Sequence, residues 1–319
     1  MNFCFYLISR VKMMKLRDWV DKDKLNWNFL SLNPNAIELL KENPEKINWK
    51  YLCENSNPDA IKLLKQNPDK INWSMLSKNS NQEAVELLKE NLDKIDLYYD
   101  WYFLSLNTNI EAIELLKENL DKIDWSYLCE NPSAIEILKK NPDKINWDYL
   151  SINPNAIELL KQNPDKINWR YLCSNPNAIE LLKENPDKIN WYRLCLNENP
   201  NVIKILKENK DKIDWCCLSE NPNPKLIELF QENPSEIKWT YLCKNPNAIE
   251  LLKENRDKIN WYYLSENPSI FTYDYETIKN KNKDLNEAVV FKALHPKRML
   301  RLMEEYGEDE IYNCYFNDE

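Results

Sequence analysis

Residues 155–175 read Asn155-Ala-Ile-Glu-Leu-Leu-Lys-Gln-Asn-Pro-Asp-Lys-Ile-Asn-Trp169-Arg-Tyr-Leu-Cys-Ser-Asn175, and a near copy follows at once. The core of this stretch, Trp-x-x-Leu-(Ser/Cys)-x-Asn, occurs eleven times, starting at Trp27, Trp49, Trp73, Trp101, Trp125, Trp147, Trp169, Trp191, Trp215, Trp239 and Trp261. A fixed period between about 20 and 50 residues identifies a stacked array, whose core grows lengthwise one neighbour at a time.

Each repeat holds two segments. In Ala-Ile-Glu-Leu-Leu-Lys-Glu-Asn, apolar residues fall at i, i+1, i+3 and i+4, the stripe of a helix. Asn35, Ser133, Asn155, Asn177 and Asn247 each precede a Glu by three residues, which predicts a capping box. In the second segment Asn or Asp precedes most of the Trp residues as a candidate N-cap, and Trp and Leu at i, i+3 share a helical face. Such short helices do not hold in water alone and need neighbours. The expectation is an all-α solenoid of about eleven two-helix repeats of 22–24 residues. Eleven steps at helix-packing distance would make a rod roughly 100 Å long. The alternative is a leucine-rich-repeat-like α/β horseshoe, whose unit is of similar length and also carries an Asn ladder. Against it, two residues past the Asn the pattern wants an apolar side chain, and Asn35, Asn155 and Asn177 stand there. Val and Thr, which strands favour, are also scarce in the segment.

Residues 1–26 read as an N-terminal leader that caps the first repeat, with Leu16, Trp19, Val20 and Leu25 on its apolar face. Residues 27–265 are the solenoid and 266–319 a C-terminal helical cap. The cap is expected to hold a helix over 285–294, a second from Pro296 to Tyr306 ended by Gly307, and an acidic tail from Glu308. A four-residue insertion before Trp101 is the main irregularity of the array.

Chemistry has little to stand on. The chain has one Gly, which leaves almost no phosphate-cradling loop, and one His, so no Ser/His/Asp or Cys/His set can be assembled. The nine Cys show no CxxC spacing; five stand where six other repeats have Ser, which reads as a buried small-residue site. A net charge of -9 argues against nucleic acid and anionic membranes as partners. No run approaches a membrane span, and the chain reads as intracellular. The expectation is therefore no enzyme, no metal and no cofactor. The Trp row reads as hydrophobic mass, the Lys rows as a solvated face, and both Asn rows as structural, through helix-ending αL turns and capped backbone groups.

What varies is the residue after each Trp and the residue two past each Leu. A fixed frame with free positions is how repeat proteins present a binding surface. The candidate partner-binding residues are Tyr102, Arg170, Tyr192 and Tyr262, with Tyr98 and Tyr99 from the insertion. Tyr and Arg are the side chains that protein interfaces favour.

The stretch 175–191, Asn-Pro-Asn-Ala-Ile-Glu-Leu-Leu-Lys-Glu-Asn-Pro-Asp-Lys-Ile-Asn-Trp, resembles a repeat family expanded in giant, mimivirus-like DNA viruses of amoebae. The ending His295-Pro-Lys-Arg-Met-Leu-Arg-Leu-Met-Glu-Glu-Tyr-Gly-Glu-Asp-Glu-Ile is similar to that family's C-terminal end. The resemblance implies origin and repeat class, and with them an infected host's cytoplasm or a viral factory as the setting; it carries over no activity and no site residues. More loosely, the unit is similar to the variant leucine-rich repeat of bacteria, an α/3₁₀ solenoid. The leading functional expectation is a non-enzymatic scaffold that binds host or viral proteins. An RNA-binding solenoid and a structural or virion component are the alternatives.

Overall fold

The structure is a computed structural model and describes residues 14–95, 98–281 and 294–307. The helix expected over 285–294 falls almost wholly outside the described residues, and the acidic tail from Glu308 does so entirely. The chain is an all-α solenoid, with one two-stranded sheet of β1 (Met14–Leu16) and β2 (Phe271–Tyr273) among the described residues. It divides into two compact units, Leu16–Phe271 and the described parts of 1–15 and 272–319.

Within Leu16–Phe271 each repeat runs through three pieces. A short helix such as Ile37–Lys41 comes first, then a 3₁₀ turn such as Pro44–Lys46, then a helix such as Trp49–Leu52. The Pro of the turn sits at the first helical position, where its missing N–H has no partner to lose. The repeat Leu of every Trp helix (Leu30 through Leu264) is fully buried, and so is the Ala, Val, Leu or Ile that opens each preceding segment, from Ala36 to Ile270. The Trp side chains lie outside this layer: most are half-buried, and only Trp101 is buried, at 7% exposure.

Polar rows hold the repeats together. The Asn that ends each core is buried and donates both amide protons backward. Asn153 Nδ2 reaches the carbonyls of Cys129 and Asn131 at 2.9 and 2.8 Å, while its Oδ1 accepts from Asn155 N at 2.9 Å. The Ser or Cys before it is a relay as well as a spacer. Ser151 Oγ donates to the Trp147 carbonyl and accepts from Asn168 N in the next repeat, and Cys173 does the same with Trp169 and Asn190. The second Asn row bonds the carbonyl four residues back, as Asn163 does to Leu159 at 2.9 Å.

Two sequence expectations are corrected here. Neither Asn row uses the αL conformation: no described residue other than Gly307 has positive φ. Nor do Asn35, Ser133, Asn155, Asn177 and Asn247 form capping boxes. Their side chains donate to the preceding repeat instead, to the carbonyls of Pro268, Thr108, Pro132, Pro154 and Pro222. Each of the five already lies past the cap, because its own N–H is taken by the Oδ1 of the ladder Asn two residues before it. The caps before Trp are as expected; Asn26, for example, accepts from Asn28 and Phe29.

The array is not an open rod. Asn33 donates to Ser265 O and Asn267 O at 3.2 and 3.0 Å, the same two bonds that every later ladder Asn makes to its predecessor. Asn35 reaches Pro268 O, and Asn26 N donates to Ser265 Oγ at 2.7 Å. The first repeat is therefore stacked on the eleventh, and residues Leu16–Phe271 form a closed ring. The steps expected to span ~100 Å as a rod instead make a circle about 30 Å across at the helix axes.

The leader explains the closure. Lys22-Asp-Lys-Leu-Asn-Trp27 matches the Pro-Asp-Lys-Ile-Asn-Trp that precedes the other cores, and it forms the same 3₁₀ turn, Lys22–Lys24. Residues 267–271 begin the closing repeat and residues 16–26 complete it. Arg17 N bonds Ile270 O at 2.9 Å, Arg17 also contacts Ser269 O and Glu250, and Leu25 and Val20 are buried. The leader thus covers no open end, because the ring leaves none.

The insertion before Trp101 becomes extra helix, Tyr98–Leu106, and the register survives. Asp100 is buried and bonded to Ser74 Oγ. Asn168 makes the equivalent contact to Asp148 in a regular repeat. In the other compact unit, Asp274 accepts from Thr277 N and Oγ1 ahead of helix Tyr275–Lys281. A second helix, Pro296–Tyr306, stops at Gly307 (φ 95°) as the sequence predicts.

Candidate functional site

Two rows of the ring combine chemical variety with exposure, one on the Trp helices and one at or just past their C-terminal ends. The residue two past each Trp is aromatic in eight of eleven repeats: Phe29, Tyr51, Phe103, Tyr127, Tyr149, Tyr171, Tyr241 and Tyr263. Neighbouring rings in this row stand 5.4–6.2 Å apart between centroids, from Phe29–Tyr51 through Tyr127–Tyr149 to Tyr149–Tyr171. Helix axes pack at about 8–10 Å, so a row more tightly spaced than that lies on the inside of the curve.

The second row, two past each repeat Leu, sits beside the first. Lys78 lies over Phe103 of the next repeat at 4.3 Å, Lys244 over Tyr263 at 5.0 Å, and Ser174 Oγ contacts Arg193 O at 3.4 Å. Glu130 fits side chains that converge on the interior. Burial pushes its carboxyl up, and the opposing pull comes from Arg193, three repeats further on. Glu266 is raised in the same way by burial, with Lys244 opposing and Glu220 adding to the rise. Burial disfavours a lone charge, which is why carboxyl groups placed here hold their protons more tightly.

The inner wall is thus aromatic, with charges set between the rings. Lys78 pairs with Glu54 at 3.4 Å, Lys244 with Glu220 at 2.9 Å, and Arg193 covers Tyr171 at 5.0 Å. The rings of Tyr102, Tyr127 and Tyr149 stand in series, 4.1 and 5.4 Å apart between centroids.

The sequence-derived candidates occupy the row after Trp, at the margin of this wall. Arg170 is exposed, and Tyr192 and Tyr262 are each 51% exposed. Tyr262 packs edge-on against Phe29 across the ring-closing junction, at 4.7 Å. Tyr102 is half-buried against Tyr127 at 4.1 Å, so it serves the stacking of repeats. Tyr99 is well exposed on the added helical turn, which Tyr98 begins. The structure brings Tyr102 together with Tyr127 and Tyr262 with Phe29; it does not bring the six candidates into one cluster.

Sequence reasoning passed over the aromatic row itself. Its signal was the recurrence of Tyr or Phe two past Trp, which reads as core until the ring shows which way the helix faces. The Lys rows are also less free than a solvated face: Lys46, Lys166 and Lys212 cover Trp27, Trp147 and Trp191 of the preceding repeat at 4.5–4.8 Å.

The buried thiols are unreactive by environment. Burial pushes Cys53 and Cys129 up to about 11 and Cys195 up to about 12. Among the described residues no group of three His, Cys, Asp or Glu could hold a metal ion, and no helix is long and apolar enough to cross a membrane.

Comparison of the chain with protein-family models, with curated proteins and with solved structures finds no match.

Proposed function

We propose that this chain is a non-enzymatic scaffold that binds a protein partner, of host or viral origin, inside the infected cell. The observation that carries this reading is the contrast between frame and display. In every repeat the Leu, the Ser or Cys and the ladder Asn are buried, while the residue after Trp changes freely. Arg170, Tyr192 and Tyr262 stand exposed there, with Tyr99 beside them on the added turn. Such residues offer a partner large contact area at low entropic cost. The ring holds them in a fixed arrangement, so less ordering is needed on binding. The acidic net charge weighs against RNA as the partner.

The test is a nuclease-treated, tagged pull-down from infected cells, with mass spectrometry and a variant carrying Tyr102→Ser, Arg170→Ser, Tyr192→Ser and Tyr262→Ser. Because Tyr102 also packs repeats, a version that keeps it is run alongside. A protein enriched by the parent and lost in both variants supports the reading. Enrichment that the variants retain, or material that nuclease removes, overturns it.

A further inference from the structure

In the other compact unit, helix Pro296–Tyr306 carries its charges in reverse order. Lys297 and Arg298 stand in its first turn and Glu304 and Glu305 in its last, so no acid lies near the start and no base near the end. The helix dipole favours the opposite placement. Helices of the ring follow that rule: Ile37–Lys41 opens with Glu38 and closes with Lys41, and Ile157–Lys161 does the same with Glu158 and Lys161. Those residues also bridge within the helix, at 2.8 and 3.1 Å. Here Arg301 precedes Glu304 and Glu305, the weaker order for a helical ion pair. Among the described residues Lys297, Arg298, Arg301, Glu304 and Glu305 form no ion pair, and all five are exposed.

Burial fixes which way the helix faces. Met299 is buried and Leu302 and Met303 are half-buried, so these mark the inward side. At about 100° per residue, Lys297, Arg301 and Glu304 fall on the side away from Met299, with Leu300 along one flank and Arg298 and Glu305 along the other. Leu300 is 61% exposed, a large apolar side chain set among charges. The outward stripe therefore has base at one end, acid at the other and Leu300 at the middle. Turned end for end, such a stripe is its own complement. An anionic surface would suit Lys297 and Arg298 but would repel Glu304 and Glu305. A second helix of the same sequence, laid antiparallel, suits both ends and opposes the two helix dipoles favourably.

We propose that two copies of this chain associate through helix Pro296–Tyr306, packed antiparallel about Leu300. With a two-fold axis beside Leu300, Lys297 of each copy faces Glu304 of the other. Arg298 meets Glu305 along one flank, and the two Leu300 side chains meet along the other. Each ion pair occurs twice by symmetry. The helix is about 16 Å long, so the contact covers far less than the roughly 800 Å² per partner of a stable complex. The dimer is accordingly weak, forming at roughly 10–500 µM chain. The inference is independent of the partner-binding reading, which concerns exposed residues of the ring.

The test is sedimentation velocity of the full chain across that concentration range. The parent shifts from monomer toward dimer as concentration rises, and about 0.5 M salt weakens the shift because the ion pairs are exposed. An acidic variant, Lys297→Glu with Arg298→Glu, and a basic variant, Glu304→Lys with Glu305→Lys, each set like charges face to face and stay monomeric. Mixed in equal amounts, the two variants form a heterodimer at least as readily as the parent forms its homodimer. That recovery shows that both variants are folded and that the contact is helix to helix. Leu300→Asp weakens association of the parent by about tenfold or more. Glu158→Lys with Lys161→Glu, an exchange on a ring helix, leaves it unchanged. A parent that stays monomeric throughout overturns the proposal. So does association that the acidic and basic variants each keep, or a mixture of the two that remains monomeric.

Discussion

Replacing Asn33 by Ala tests ring closure against every open arrangement of the same repeats. In the ring, Asn33 has the three bonds of a mid-chain ladder residue: two donated to Ser265 O and Asn267 O, and one accepted from Asn35 N at 3.0 Å. Asn153 has the same three, and both residues are at most 1% exposed. Truncation leaves the buried Ser265 carbonyl and the Asn35 N–H without partners, each worth about 1–3 kcal/mol when orphaned, and takes one of two donors from the Asn267 carbonyl, which keeps Ile270 N at 3.3 Å, for a sum of roughly 3–5 kcal/mol. In an open array the carbonyls of residues 265 and 267 would face water at one end. Asn33 would then hold only its local bond to Asn35, worth about 1 kcal/mol. Urea unfolding of Asn33→Ala and Asn153→Ala, compared at constant m-value, is the assay. Losses within about 1 kcal/mol of each other are the expected result. A loss at Asn33 near 1 kcal/mol beside a loss of several at Asn153 would refute closure.

Three further outcomes follow from the same geometry. Spin labels at Glu42→Cys and Glu254→Cys, on outer helices two steps apart through the closing repeat, should lie about 20–30 Å apart by pulsed dipolar spectroscopy; an open array puts them near 90 Å. Cys173→Ser should fold with nearly parental stability, because Ser does this work in six repeats, whereas Cys173→Ala removes the acceptor of Asn190 N (3.2 Å) and should cost about 1–2 kcal/mol in urea unfolding. The buried thiols bind their protons more tightly folded than unfolded, so their contribution is whole below pH 9 and lost as pH rises toward 11. For Cys53 and Cys129 the loss is about 2–3 kcal/mol each, and a Cys53→Ser, Cys129→Ser variant should show a correspondingly flatter decline in stability across that window.

The local structure was legible because each repeat states it again. Leu three residues after each Trp, an Asn or Asp before most Trp, and Pro at the head of most turns have direct physical meanings, and the helices follow them. The capping-box reading failed for a reason that no single repeat contains. Asn155 has a Glu three residues on, as a capping box requires, but it lies inside the 3₁₀ turn Pro154–Ala156, whose cap is the ladder residue Asn153, and its own amide reaches Pro132 O in the neighbouring repeat. The Ser/Cys site shows the same limit: size was readable from the alternation, but the relay to the next repeat was not.

By itself, then, the sequence determined the unit: two short helices, a 3₁₀ turn, a buried Leu layer and Asn rows committed to structure. Tertiary structure alone decided that the units close. Closure depends on a small rotation per repeat accumulating to a full turn, and that angle arises from packing between repeats, which no residue pattern states. Closure in turn gave the leader its role, because Lys22–Asn26 completes a repeat only when the eleventh stands beside it. It also set the candidate site, turning a row of aromatic side chains along the Trp helices into an inner wall.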